Sequence, residues 1–449
     1  MKNEITVGVL GLGHVGLPTA VGFAELGWSV LGWDDLTEKT ELIREKIAPF
    51  YEPGLQELLD SALSSQRFVL TRNVEEIIKK SDILFVCVGT PQNEDGSADL
   101  SQIEKVAMDI ARYAETDMLV VEKSTTPVST AKGLKETLDR YKNSNINIDV
   151  AVNPEFLREG SGIRDFFNPD RIVIGIETEK SRNMLLQLYE PLVKKLKSQN
   201  DDVNRIFVVT DLNTAELIKH ASNSFLAMKI SFINSVSDIC DQVGADVVKV
   251  AHGMGMDPRI GSSFLNAGIG FGGYCLPKDI KAFSKIGEDF GVDMSIFRAV
   301  SKINDKRYES VIKKLRSALS VLRDKKVAVW GLSFKPETDD VREAPSIGII
   351  KAMIEEGMTV RLHDPEAIEQ FKGVIAPKLG LVEYCDSPED ACMGADCILI
   401  LTEWKQYLDV DLVSIKQSMA NPLLIDGRNM FDPVKVSRSG FQYFGMGRT

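Results

Sequence analysis

Residues 268–279 read GIGFGGYCLPKD, and within that segment Cys275 has the setting of a nucleophile. Glycines let the backbone approach a ligand closely. Lys278 and Asp279 follow the cysteine, and a nearby ammonium favours the thiolate, which is the reactive form. A lone free cysteine is more often a small buried hydrophobe. The glycine-rich, charged surroundings set Cys275 apart from that default.

Two further groups have suitable chemistry. In NPEFLREG, residues 153–160, Glu155 and Glu159 stand four apart beside Arg158. If the segment turns helically, both carboxylates share a face. The plainer alternative is solvated charge at a helix start. Farther along, Lys219 and Asn223 are also i, i+4 and would present two hydrogen-bond donors on one side of a helix. For them the plainer alternative is an exposed polar face.

A third group is a phosphate cradle, Gly11-Leu12-Gly13-His14-Val15-Gly16, directly after an apolar strand. Gly11 permits the tight turn, Gly13 lets the backbone near a pyrophosphate, and Gly16 lets the next helix pack against the strand. The unpaired N–H groups of that helix then face the phosphates. An acidic residue is needed roughly 20 residues on, at the end of the second strand, to hold ribose hydroxyls. Asp34 ends the apolar run directly, so it is preferred over Asp35. A carboxylate there would repel a 2′-phosphate, which favours NAD over NADP.

These residues need a scaffold. ITVGVLGL, WSVLGWD, DILFVCVGT, DMLVVEKST, IDVAVNP and RIVIG read as strands, separated by helical stretches such as QIEKVAMDIARYAE. Near-continuous apolar strands alternating with helices imply a parallel sheet covered on both faces. A polar stretch, KSQNDDVN, occupies 197–204, and a short strand, IFVVTD, follows it. A long helix with no proline or interior glycine is then expected from about Leu212 to Gly244, as a spine and a possible dimer surface. A second series opens at Lys326 with KVAVWGL, TVRLHDP, ADCILILTE and PLLIDGR. Its VWGLSFK turn departs from the glycine pattern, so a second dinucleotide is not expected there. The fold class is therefore α/β, with two Rossmann-like parallel-sheet domains joined by a central helical segment. The boundaries fall at 1–200, 201–305 and 306–449.

Composition narrows the partners. A net charge of −12 over 449 residues argues against nucleic acid and anionic membrane. No apolar run approaches the ~20 residues that span a bilayer. MKNEITVGVLGLG has no signal-peptide core. The six cysteines form no C-x-x-C pair and the four histidines are scattered, so no metal is expected and the compartment reads as cytoplasmic.

Taken together and in order, these segments resemble the UDP-glucose/GDP-mannose dehydrogenase family over nearly the whole chain. The match includes GLGHVGLP, YEPGL at 51–55, CVGTP at 87–91, EKSTTP at 122–127, NPEFLREG, DPRIG at 257–261, GFGGYCLPKD, and GLSFKPETDDVRE at 331–343. The resemblance implies a four-electron oxidation of a sugar C6 alcohol to a carboxylate with two NAD+. An aldehyde has no carbinol hydride to give until a nucleophile adds. Cys275 would form a thiohemiacetal, which yields the second hydride and leaves a thioester for water to cleave.

The resemblance also assigns residues. Lys219 and Asn223 would stabilise the oxyanion or hold a water. Glu155 would be the base for hydrolysis. Asp279 would support Lys219 and the water, and Thr125 would help position that water. Contacts to NAD are implied at Val15, Asp34, Lys39, Thr90, Thr125, Glu159, Lys278 and Arg342. Contacts to the sugar nucleotide are implied at Glu155, Phe156, Leu157, Arg158, Lys219 and Asn223. The same holds for Phe264, Leu265, Asn266, Ala267, Gly268, Gly272 and Lys335, with Arg428 a weaker candidate. Arg259 resembles an arginine that reaches the substrate of a neighbouring subunit, which implies a homodimer or larger homo-oligomer. The C-terminal domain would hold the nucleotide.

NPEFLREG and the Tyr-Cys pair look most like family members acting on UDP-glucose, with GDP-mannose and acetylated sugars as alternatives. Two other classes remain open. A two-electron dehydrogenase of the β-hydroxyacid type would use Lys219 and Asn223 without Cys275. A nucleotide sensor would bind without turnover.

Overall fold

The computed structural model describes residues 5–197, 206–375 and 380–448. The polar stretch expected at 197–204 lies, apart from Lys197, outside the described residues. The chain divides into two compact units, Met1–Ser222 and Asn223–Thr449.

The first unit is built on eight strands. They are β1 (Thr6–Leu10), β2 (Ser29–Trp33), β3 (Phe68–Leu70), β4 (Ile83–Val86), β5 (Met118–Glu122), β6 (Ile148–Val152), β7 (Ile172–Gly175) and β8 (Phe207–Thr210), ordered β3-β2-β1-β4-β5-β6-β7-β8. Every residue of β4, β5 and β6 is buried, as strands covered by helices on both faces must be. On one face Phe23 packs its ring 5.3 Å from Phe85, 5.3 Å from Phe166 and 5.4 Å from Tyr189. On the other, Leu84, Val120 and Val150 meet Ile110, Leu134 and Leu138.

The sheet departs from expectation at one place, because β7 pairs with β6 antiparallel. A parallel return needs a full crossover. Residues between β6 and β7 instead form a loop and a six-residue helix, Gly162–Phe167. That loop carries Glu155.

The second unit opens inside a 32-residue helix, Leu212–Val243, which matches the long helix read from sequence. Its sheet has six parallel strands: β9 (Lys326–Trp330), β10 (Thr359–His363), β11 (Val382–Tyr384), β12 (Cys397–Ile400), β13 (Leu423–Asp426) and β14 (Gln442–Gly445). They are ordered β11-β10-β9-β12-β13-β14, the Rossmann order. β3, β11 and β14 were not anticipated. Each is a three- or four-residue edge strand, too short to show a period.

The two sheets begin alike. Gly11 has φ +86° and donates its N–H to Trp33 O at 2.9 Å, while Leu12 N donates to the Asp34 carboxylate at 2.7 Å. Gly331 has φ +98° and donates to His363 O at 2.8 Å, while Leu332 N donates to Asp364 at 2.7 Å.

Candidate active site

The glycine loop has the geometry a dinucleotide needs. Gly11 holds the left-handed turn. A Cβ on Gly16 would lie 1.8 Å from the Gly11 carbonyl oxygen, so only glycine lets the helix Gly16–Glu25 start so close. A Cβ on Gly13 would meet nothing within 4 Å, which leaves open space above its backbone where a pyrophosphate would sit. Val15 caps the helix. Asp34 is buried whereas Asp35 is exposed. Lys39 reaches back to Asp34 at 2.7 Å.

At the carboxyl end of β6, Glu155 and Lys219 form a buried ion pair at 2.7 Å, with side chains 3% and 4% exposed. Glu155 accepts from Lys219 Nζ on one oxygen and from Leu157 N–H at 2.6 Å on the other. The segment does not turn helically: residues 153–158 have no regular secondary structure, and Glu155 and Glu159 share no helical face. Tertiary contacts override the local pattern. Arg158 is held to Asp165 through its backbone N–H and through Nε and Nη2 of its guanidinium. Glu52 accepts from Gly160 N at 2.7 Å and Gly162 N at 2.8 Å. Phe156 lies under the Arg171 guanidinium, 3.7 Å from ring centre to Cζ.

Thr125 follows β5 on a segment anchored from below. Thr90 Oγ1 donates to the Thr125 carbonyl at 2.8 Å. Thr126 donates to Glu122, and its carbonyl meets His220 Nε2 at 2.7 Å. Glu216 accepts from Ser129 N–H at 2.7 Å and Ala131 N–H at 2.9 Å. Burial pushes the Glu216 carboxyl up to about 7 and raises Glu122 well above its usual range.

Between the ordinary value of 4.5 and about 7, the folded protein holds a proton at Glu216 that the unfolded chain has released. Its contribution is therefore complete below the unfolded value and lost as pH rises through about 7, by up to roughly 3 kcal/mol. The thermal midpoint is expected to fall between about pH 5 and 8, and Glu216→Gln to flatten that slope. Thermal scans across this range check it, and a parallel slope in the variant would reject it.

The second unit contains the cysteine. Cys275 is the first residue of the helix Cys275–Asp289, where unpaired N–H groups and the helix dipole favour negative charge. Behind it, Asp279 accepts from Asn223 Nδ2 at 2.6 Å and pairs with Lys278 at 2.8 Å. Tyr274 lies between two cations, Lys278 at 5.4 Å and Arg342 at 4.6 Å from its ring centre. The loop ahead of Cys275 has no spare volume. A Cβ on Gly272 would lie 2.3 Å from the Glu343 carbonyl, and Gly273 N donates to Arg342 O at 2.9 Å. Among the other cysteines, burial pushes the Cys87 and Cys392 thiols up to about 12 and Cys385 up to about 11, away from reactivity.

The remaining residues fall into three settings. Leu265, Ala267 and Gly268 are buried, Asn266 is exposed, and Phe264 has φ +64°. Gly268 N–H is fixed by Asn234 Oδ1 at 2.8 Å, and its carbonyl by Arg307 Nε at 2.8 Å. Arg428 spends its guanidinium on the carbonyls of Leu401, Gly270 and Phe334, which makes it a clamp beneath the glycine segment. Lys335 is half-buried over Phe334. Arg259 is 87% exposed at its side chain and bonds Asp257.

Glu52, Asp165, Lys123 and Asn153 escaped sequence reasoning. Glu52 stands in YEPGL, where an acid before a Pro-Gly turn is a usable signal. The other three show their role only once their burial is known.

The comparisons with known proteins agree along the chain. Residues 5–193 match the model of the UDP-glucose/GDP-mannose dehydrogenase family NAD binding domain, 213–306 its central domain and 328–433 its UDP binding domain. The UDP-glucose 6-dehydrogenase YwqF of Bacillus subtilis is 40% identical over 444 residues, covering 99% of this chain and 98% of that protein. A UDP-glucose dehydrogenase structure from the hyperthermophilic archaeon Pyrobaculum islandicum superposes with TM-score 0.89 at 38% identity, covering 100% of this chain and 99% of that one. A UDP-D-ManNAc dehydrogenase from Pyrococcus horikoshii gives TM-score 0.84 at 29% identity, with 99% of each chain covered. With the open cradle over Gly13 and the buried Asp34, the dinucleotide is NAD, and the chain belongs to the UDP-glucose/GDP-mannose dehydrogenase family.

Proposed function

We propose that this enzyme oxidises the C6 alcohol of UDP-glucose to the carboxylate, a four-electron reaction consuming two NAD+ and one water. The observation that carries the reading is Cys275 at a helix N-terminus, backed by the Asn223–Asp279–Lys278 cluster. The choice of sugar rests on relatives named UDP-glucose 6-dehydrogenase at about 40% identity over almost the full chain. NAD, seated at Gly11–Gly16 with Asp34 toward the ribose, supplies the hydride acceptor for both oxidations.

The chain's own residues do the rest. The Cys275 sulfur adds to the aldehyde carbon and forms a thiohemiacetal, which on oxidation becomes a thioester. Lys219 and Asn223, one turn apart on a single helix, donate to the oxyanion. Glu155 takes a proton from the water that cleaves the thioester. Thr125 positions that water, and Arg342 and Lys335 supply positive charge to anionic ligands. Residues 1–200 serve the cofactor, 201–305 carry the cysteine and the dimer surface, and 306–449 hold the nucleotide. Phe225, Phe232, Ile239 and Val243 are exposed on the 212–243 helix, an apolar stripe suited to a second copy. Free cysteines suit a cytoplasmic enzyme.

NADH production by the purified protein is to be measured with UDP-glucose, GDP-mannose, UDP-N-acetylglucosamine and UDP-galactose. Two NADH per UDP-glucose is the expected result. Turnover of another sugar with none for UDP-glucose overturns the substrate, and one NADH per sugar overturns the four-electron course.

A further inference from the structure

The hydrolytic step consumes a water, yet the oxidations require water to be kept away, since it would hydrate the aldehyde before the sulfur adds. A cavity of about 60 Å³ lies beneath the Glu155 loop, between β6 and the helix Glu179–Lys197. At about 10–15 Å³ per water centre it has room for roughly four to six waters. Its lining includes Lys123, Asn153, Glu155, Arg171, Tyr189 and Leu192.

Part of this lining is polar and short of protein partners. Lys123 is buried, and an ammonium has three N–H donors. Among the described residues it makes no ion pair and one hydrogen bond, to Asn153 Oδ1 at 3.1 Å. That oxygen also accepts from the Tyr189 hydroxyl at 2.6 Å, so Asn153 has little more to offer. Burying an ammonium with donors unused is costly, and a polar cavity beside it relieves the cost. Burial also pulls the Lys123 pKa down. Glu155 holds Lys219 on one oxygen and Leu157 N–H on the other, and each carboxylate oxygen has a second lone-pair site.

We propose that this cavity is the store from which hydrolytic water is delivered to Glu155, with Lys123 as the positioning residue that holds it. The inference rests on the four-electron reading. In the step it serves, the water oxygen bonds to the thioester carbonyl carbon while Glu155 takes a proton. The carbon–sulfur bond then breaks, the sulfur leaves as thiolate and is reprotonated, and the carboxylate is released. No electrons are exchanged with NAD at this stage.

Two variants test it by rapid mixing with NAD+ and UDP-glucose. Lys123→Met removes the ammonium, and Leu192→Phe fills the cavity without changing a polar group. Each is expected to give a burst of two NADH per active site at the parent rate, followed by turnover slowed about tenfold or more. Hydroxylamine added during the slow phase should release the sugar as a hydroxamate, the mark of an accumulated thioester. Unchanged turnover, or a slowed burst, overturns the proposal, because the residues would then be idle or act on the oxidations. If one variant does not fold, the other decides. Failure of the underlying reading looks different, since the parent enzyme itself would then give one NADH or none.

Discussion

Cys275→Ser is expected to lower turnover about 10³-fold or more while still releasing about one NADH per active site. On the proposed course the first oxidation does not involve the sulfur. On that course the second cannot begin until a nucleophile has added to the aldehyde, and a serine hydroxyl, far less acidic than a thiol, is a much weaker nucleophile than a thiolate. Burial raises the thiol pKa of each of the other five cysteines, Cys87, Cys240, Cys385, Cys392 and Cys397, which disfavours the reactive thiolate there. Counting NADH against enzyme at comparable concentrations reads the stall directly. Full activity in this variant would remove Cys275 from the mechanism and favour a two-electron dehydrogenase.

The second large effect is at the buried pair. Lys219→Met should leave the Glu155 carboxylate without its cation in a setting only 3% exposed. Removing one partner of such a pair costs about 3–5 kcal/mol, so the first unit is expected to unfold at markedly lower denaturant concentration. Activity should also fall by at least about 10²-fold, since on the proposed mechanism an oxyanion donor is lost. Lys219→Met combined with Glu155→Gln separates the two effects. The double variant removes the stranded charge and is expected to regain much of the stability and none of the activity. Denaturation curves and NADH assays on all three proteins check this. A double variant no more stable than Lys219→Met would mean that the charge pair is not what holds the loop.

The sequence disclosed most where chemistry dictates local geometry. The left-handed turn at Gly11 and the close approach at Gly16 were readable from the glycine spacing, and Asp34 is preferred to Asp35 because it alone closes the apolar strand. The long helix was legible because nothing within it breaks the helical run. NPEFLREG misled, since Glu155 and Glu159 have helical spacing but the backbone obeys Glu52 and Asp165. Glu52 lies about a hundred residues from the loop it pins, and no local window contains both. β3, β11 and β14 were missed because an edge strand is defined by its neighbour rather than by its own pattern. Lys123 reads as an ordinary surface lysine until its burial is seen.

Asp364 has a consequence for the timing of catalysis. Although it occupies the place of Asp34, its carboxylate is saturated by Leu332 N, Ser333, Trp404 Nε1, Glu366 N and Ala367 N. It has nothing left for a ribose, and restoring glycines to the VWGLSFK turn would not change that. Among the described residues the chain then seats one dinucleotide at a time. A reaction that removes two hydrides must interrupt itself between them, with reduced cofactor departing and oxidised cofactor arriving while the sugar is half converted. On the proposed four-electron course, the ratio of NADH to NAD+ around the enzyme acts in the middle of each turnover as well as at its start.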